Sequence, residues 1–370
     1  LIKDVDNLHV GRRRVTLKDI ARELNLSHAT VSRALNRVED AIISEATRVR
    51  VRAVADQMGY RPNHAGRSLA TGKTGLMCLW LWTEGRQTSY PALVSQLIQS
   101  EAQRRSYHVL VNPSRPEAIR TPSKHGFDPW NVDGVIAHES APAIVAHLGR
   151  ATRPPVPIVT TGTYHLLPGV DCVQIDVAEG AREAVRHLIQ AGRRRILYVT
   201  ENPERQAADQ RHIAYCELIS DAGLEPLFAD MSSDRALVRA GIRQWVERHG
   251  MPDALYCHND DMAIGAYRGL CDLGVRVPDD VAIVGCNGIE DTEYLEVPIS
   301  TIALPLAEMS AIACKFLETR IEDPAHPIQE ARLEAHLSVR QSSGAPFDFE
   351  STSSVTAQMP CAPPSPNEEV

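Results

Sequence analysis

Close to the N-terminus, Ser27, His28, Ala29, Thr30, Ser32, Arg33 and Asn36 form a run of short and polar side chains suited to hydrogen bonding with nucleic acid. An Arg can give two parallel donors to guanine, and His and Asn can bond base edges or phosphate oxygens. A Ser at a helix N-terminus suits a phosphate, because free backbone N–H groups already point there. No enzymatic constellation competes with this one. There is no Gly-rich phosphate loop, the fourteen His are scattered singly, and none of the eight Cys has a partner at the two-residue gap of a metal or redox motif. His258-Asn259-Asp260-Asp261 imitates a metal cluster, but the run adjoins a helix start, where capping accounts for it better. No catalytic residue, metal or cofactor is expected.

The elements that must position these residues are short helices. Thr16 and Asp19 have capping-box spacing, and Leu17, Ile20, Ala21 and Leu24 then recur on one helical stripe. Asn25-Leu26 make the turn. Ser27 is an N-cap for a second helix, His28 to Leu35, that buries Val31, Ala34 and Leu35. A third helix begins near Ser44, carries Val51, Val54, Ala55 and Met58 on one side, and ends at Gly59. A helix pair whose second member turns His28, Ala29, Ser32, Arg33 and Asn36 outward is what a major-groove reader needs. The same periodicity also fits a small helical bundle with a solvated face.

Composition narrows the field. At 370 residues and 43% hydrophobic, the chain can build a small domain and a larger two-lobed one. Residues 1–75 hold 14 Lys and Arg against 8 Asp and Glu, while the remainder holds 25 against 39, so a basic end sits on an acidic body. That asymmetry suits an end that meets a polyanion. No apolar run reaches the roughly 18 residues of a membrane helix and no signal-peptide pattern opens the chain, so a cytoplasmic, nucleoid-associated protein with no membrane partner is expected. The cysteines are expected to be reduced and mostly buried.

From Gly75 onward, short apolar runs alternate with amphipathic stretches. Leu76 to Trp82, Val109 to Val111, Val135 to Ala137, Ile158 to Val159, Ile196 to Val199, Ala254 to Cys257 and Val281 to Val284 read as buried parallel strands. Leu93 to Arg105, Ala178 to Ala191, His212 to Ala222, Leu237 to His249 and Met262 to Leu273 read as helices. The expected fold is a small all-α helix-turn-helix headpiece plus an α/β core of two doubly wound parallel-sheet lobes, with a ligand cleft at the carboxyl ends of the strands. The expected boundaries are a basic arm at 1–14, the headpiece at 15–60, a linker at 61–74 and the core at 75–344. Within the core, one lobe takes 75–191 and 303–333 and the other 192–302 and 334–344. Residues 345–370 have no apolar period and read as a disordered tail.

The run from Val15 to Asn36 resembles the DNA-binding headpiece of the lactose-repressor/galactose-repressor family, and the likeness continues through His258 to Ala266, Gly274 to Gly285 and Leu337 to Gly344. The resemblance implies that His28 and Ala29 vary with the operator and that Arg33 reads a base, with Thr16, Thr30, Ser32 and Asn63 completing the DNA-facing set. It implies a hinge helix in Arg61 to Gly72 that folds on DNA and inserts Leu69 between base pairs. Gly66 stands where the family usually has Ala, at a cost of about 0.8 to 1.0 kcal/mol in a helix. The loop from Asn36 to Ser44 is longer than the family's and carries Glu39 and Asp40, which would repel a phosphate.

For the core, the resemblance implies a periplasmic sugar-binding fold, a homodimer, and control of the headpieces by a small, sugar-like effector. Arg211 matches the family's effector-binding Arg, whose five-donor fork suits paired hydroxyls or a carboxylate. Asn259 matches a position that bonds ligand hydroxyls, although a role as helix N-cap fits it equally. Asn287 stands where many members have a sugar-gripping Asp, and Thr83 and Glu179 also match pocket positions. Trp82 and Tyr90 could stack a sugar face, although a Trp beside a core strand is more often simply packed. Without heptads in the tail, a dimer is expected and a tetramer is not. The function expected is a ligand-responsive repressor on a near-palindromic operator. An activator, a corepressor-dependent regulator and a solute-binding protein or sugar enzyme on the same core remain the alternatives.

Overall fold

The computed structural model describes residues 15–35, 43–61, 72–82, 89–114, 132–139, 156–163, 169–204 and 207–344, in two compact units that divide between Thr74 and Gly75. In the first unit, α1 (Leu17–Leu24), α2 (His28–Leu35) and α3 (Glu45–Gln57) form where the caps demand. The Asp19 carboxylate accepts from the Thr16 amide at 2.9 Å and from its hydroxyl at 2.7 Å. The Thr30 amide donates to Ser27 Oγ at 3.0 Å, and the Thr47 amide to Ser44 Oγ at 3.3 Å. The three amide bonds each satisfy a donor that the first helical turn leaves without a partner. α1 stops at Asn25, whose φ of 53° is a left-handed conformation that Asn tolerates.

The three helices close around Ile20, Ala21, Val31, Ala34, Val51 and Ala55, with Leu17, Leu24, Leu35, Val54 and Met58 packed against them. Arg50 on α3 donates to the Leu24 carbonyl at 3.3 Å, tying the end of α1 to the third helix. The expected arm (1–14), the loop with Glu39 and Asp40, the hinge with Asn63, Gly66 and Leu69, and the tail fall outside the described residues.

The second unit holds two six-stranded sheets. The first contains β1 (Leu76–Trp82), β2 (His108–Ser114), β3 (Gly134–His138), β4 (Ile158–Gly162), β5 (Asp171–Asp176) and β11 (Glu330–Glu334), in the order β11-β5-β4-β3-β1-β2 and parallel throughout. The second contains β6 (Ile196–Thr200), β7 (Leu227–Asp230), β8 (Ala254–Cys257), β9 (Ala282–Asn287), β10 (Ser300–Ala303) and β12 (His336–Ser338), in the order β12-β10-β9-β8-β6-β7. Only the β10–β12 pair in that sheet is antiparallel. The inner strands are apolar runs because helices cover the sheets and both faces of a strand are then buried. α4 (Ser89–Arg104) and α9 (Leu306–Glu322) pack on the first sheet. α5 (Ala178–Gln190) and α6 (Gln210–Asp221) pack together against the second, with α7 (Arg235–His249) and α8 (Asp260–Asp272) forming another packed pair on it.

The position of α5 corrects the lobe boundary expected at 191/192. The helix lies on β8, β10 and β12, so the chain leaves the first lobe at Val177, directly after β5. Its buried stripe, Gly180, Ala181, Ala184, Val185 and Leu188, explains the choice. A Cβ at Gly180 would stand 2.6 Å from the Ala335 carbonyl, and only glycine permits that approach at the lobe crossing. Five strands outside the expected apolar runs also emerge, β5, β7, β10, β11 and β12. β5, Asp171-Cys-Val-Gln-Ile-Asp, is buried along its whole length because Arg320 pairs with Asp171 at 2.8 Å, and β11 is an edge strand whose burial alternates.

Candidate functional site

Two regions gather polar side chains that the cores do not need. The first is the outer face of α2. His28, Ala29 and Arg33 are exposed there, while Val31 and Ala34 are sealed inside. Ser32 is half-buried beside them. Ser27 and Thr30 sit at the helix start with their hydroxyls 2.8 Å apart, and the Ser27 hydroxyl also takes the Thr30 amide. Thr16 is exposed but engaged with Asp19. The resulting surface has an imidazole, a methyl group and a guanidinium on one rigid, capped helix, which complements the acceptors and methyl groups of DNA base edges.

The second region lies where the carboxyl ends of strands from both sheets meet. Arg211, in the first turn of α6, is 6% exposed. Its Nε and Nη2 donate to the two oxygens of Asp209 at 2.9 and 2.8 Å, and Nη1 donates to the His258 carbonyl at 3.1 Å. Asp209 is also the N-cap of α6, accepting from the Arg211 amide at 2.8 Å. Burial alone would raise the Asp209 carboxyl, but the adjacent guanidinium overrides it and holds the group well below the carboxylate range. The bidentate edge of Arg211, expected to meet a ligand, is therefore occupied by Asp209. Nη1 also reaches Cys286 Sγ at 3.9 Å, so among the described residues the guanidinium has one Nη2 hydrogen left.

His258 lies against this pair with Nδ1 2.8 Å from the Tyr198 hydroxyl. Burial, aided by the Arg211 charge, pushes its pKa down to about 3, so it is a neutral hydrogen-bonding ring. Asn259 caps α8, accepting from the Met262 amide at 2.9 Å and donating to Ser233 Oγ at 3.0 Å, as the capping alternative requires. Asn287, at the end of β9, is 7% exposed with φ 125°, and its side-chain amide has no hydrogen-bond partner among the described residues. A non-glycine residue held at positive φ stores strain, and such strain collects at functional positions.

The first lobe contributes the opposite wall. Tyr90, in the first turn of α4, stands 3.0 Å from His138 Nε2, and His138 Nδ1 is 2.9 Å from Thr161 Oγ1. With the rings tilted at 49°, Tyr90 packs on His138 as well as bonding it. Beside His138 is Glu139, which the sequence reading did not select. Its Oε1 accepts from the Thr163 amide at 2.9 Å and from the Thr163 hydroxyl at 3.1 Å, while its buried Oε2 has no partner among the described residues. Burial pushes the carboxyl up to about 7, against the bonds from Thr163 and the opposing pull of Arg211.

Arg211, Asn259, Asn287 and Tyr90 thus come from scattered positions to the strand ends. Glu179 does not join them in burial. It is exposed on the first turn of α5, paired with Arg186 at 3.6 Å. Trp82 ends β1 in register with Ser114, and its side chain, like Thr83, Asn36, Asn63 and Leu69, is outside what the structure describes. The capping role of Asp209, though not its pairing with Arg211, could have been found from its place at the start of the helix. Glu139 had no such signal.

Residues 16–63 match the family described as bacterial regulatory proteins, lacI family, and residues 185–343 match the periplasmic binding protein-like domain. The chain is 27% identical over 331 residues to the ribose operon repressor of Haemophilus influenzae, covering 88% of this chain and 98% of that protein. It is 27% identical over 346 residues to the transcriptional regulator CelR of Thermobifida fusca, covering 90% and 99%. Among solved structures, the lac repressor dimer bound to operator and an anti-inducer has the same fold, with a TM-score of 0.75, 21% identity and coverage of 90% of this chain and 100% of that one. A complex of the regulator CelR with cellobiose matches with a TM-score of 0.59, 26% identity and coverage of 89% and 100%.

Proposed function

Because the chain belongs to the lacI family of bacterial regulatory proteins, we propose that it is a ligand-responsive transcriptional repressor that binds a near-palindromic operator as a homodimer. A carbohydrate is the effector class, since relatives are a ribose operon repressor and a regulator solved with cellobiose. The cytoplasm, on the nucleoid, is where it acts, and it binds its ligand without transforming it. The observation that carries the reading is α2, a capped helix with His28, Ala29 and Arg33 exposed on one face, fused in one chain to a two-lobed core with a buried guanidinium at its strand ends. Two-fold symmetry of the protein would then impose two-fold symmetry on the site. Ligand in the cleft would act through the linker between the two units.

Selection of bound sequences from a random DNA pool, at fixed salt, tests this reading. A near-palindromic motif is expected, and its occupancy should change when a cognate sugar is added. A protein that enriches no motif at low or high salt, yet binds a sugar, would be a solute-binding protein instead.

A further inference from the structure

Glu139 is built for a contact it does not make. It follows β3 at φ 51°, an unfavourable conformation for a side chain of its size. Its carboxylate occupies the room left by Gly162 at the end of β4, where an added Cβ would lie 2.6 Å from Glu139 Cδ and under 3 Å from both oxygens. Gly162 itself has φ 136°. Thr163 holds Oε1 by two bonds, which fixes the plane of the carboxylate and leaves Oε2 buried without a donor among the described residues. A buried acceptor left in this state is destabilising, so the arrangement is not one that stability alone would select. The charges that act on Glu139 are the Arg211 cation and the Asp209 carboxylate of the other lobe, already paired with each other.

Resting on the reading of this cleft as the effector site, we propose that Glu139 is a ligand-contacting residue whose Oε2 accepts a hydroxyl of a neutral saccharide, and that it excludes sugars bearing a carboxylate. With Glu139 ionised, two carboxylates act on one guanidinium here. A third negative charge would have no cation of its own among the described residues, whereas a hydroxyl supplies the missing donor and adds no charge. His138 and His258 do not offset an anion, since burial of the first, and desolvation with the Arg211 charge at the half-buried second, hold both pKa values down to about 3.

The test uses the full chain and Glu139→Gln, which keeps the Oε1 acceptor for Thr163 and exchanges the Oε2 acceptor for a donor. Melting temperatures are recorded with no sugar and with cellobiose, D-glucose or D-glucuronate. Without sugar, Glu139→Gln should melt higher than the parent at about pH 8.5 and lose that advantage towards about pH 4.5, because a carboxyl raised by folding weakens the parent fully only above its folded pKa. A neutral sugar should raise the parent's melting temperature, with affinity falling roughly 10- to 100-fold in Glu139→Gln. Equal affinity in the two proteins would overturn the proposal, as would a response to D-glucuronate that Arg211→Ala abolishes; either result leaves the cleft as an effector site. If none of the sugars binds, the sugar-free comparison decides, and a variant that melts no higher than the parent at about pH 8.5 overturns the assignment. Failure of the regulator reading shows separately, as the absence of a selected DNA motif.

Discussion

At the scale of single residues, chemistry and stability are carried by different groups. Arg33 is exposed on α2 and supports no core, so Arg33→Ala should leave the melting temperature unchanged. If it reads a base, the variant loses about 1 to 3 kcal/mol on the selected site and relaxes preference at one base pair. An equal loss on random DNA, measured by titration, would reduce Arg33 to a phosphate contact. Asp209 and Arg211 are a buried pair, with side chains 7% and 8% exposed. Asp209→Ala strands a buried cation and should cost about 3 to 5 kcal/mol in denaturant unfolding. The sign of the pH effect follows from the depressed carboxyl of Asp209: its stabilisation is present above the ordinary carboxylate pKa and drains away as pH falls through and below it. Acid unfolding should therefore begin at higher pH in a chain lacking other changes than in Asp209→Asn, once the two are matched for stability at neutral pH.

At the scale of elements, close approach decides identity. α8 crosses α7 with Gly265 and Gly269 at the contact, where an added Cβ would sit 2.6 Å from the Arg235 carbonyl and 2.8 Å from the Arg239 carbonyl. Helix propensity alone would have Gly265→Ala stabilise α8 by about 0.8 to 1.0 kcal/mol. Overpacking against backbone costs about 1 to 3 kcal/mol, so the substitution is expected to destabilise. A raised denaturation midpoint would show that the helices separate easily. The start of α8 is equally committed: Asp260 accepts from the Ile289 amide at 2.9 Å and Thr301 Oγ1 at 2.7 Å, which leaves the His258 to Asp261 run serving the fold.

At the scale of the molecule, the two units have separate cores, and a polar network joins the lobes of the larger one. Arg235 on α7 donates to Ser89 Oγ on α4 at 2.7 Å, to Asp261 at 2.7 Å and to Asp291 at 2.6 Å, while the Ser89 amide reaches Asp261 at 3.2 Å. Calorimetry should resolve two transitions, the three-helix unit melting first because so small a core buries little surface. Arg235→Ala should lower only the second. A shift of both by the same amount would mean that the units unfold as one.

Local physics made much of this legible before any fold was known. The capped helices α1 to α3, their core residues and the exposed face of α2 follow from hydrogen bonds and stripes spanning a few residues, and the apolar strands of both sheets follow from burial on two faces. Arg211 could be singled out by resemblance, but not the fact that Asp209 fills its bidentate edge, since that depends on a rotamer set by the buried surroundings. Nor could the sequence assign α5 to the second lobe, because an apolar stripe states that a helix is covered and not by which sheet. Glu139 is the clearest case. Its meaning rests on a glycine on the neighbouring strand, on two donors from Thr163 and on charges from the other lobe, groups that only the tertiary fold brings within reach of one carboxylate.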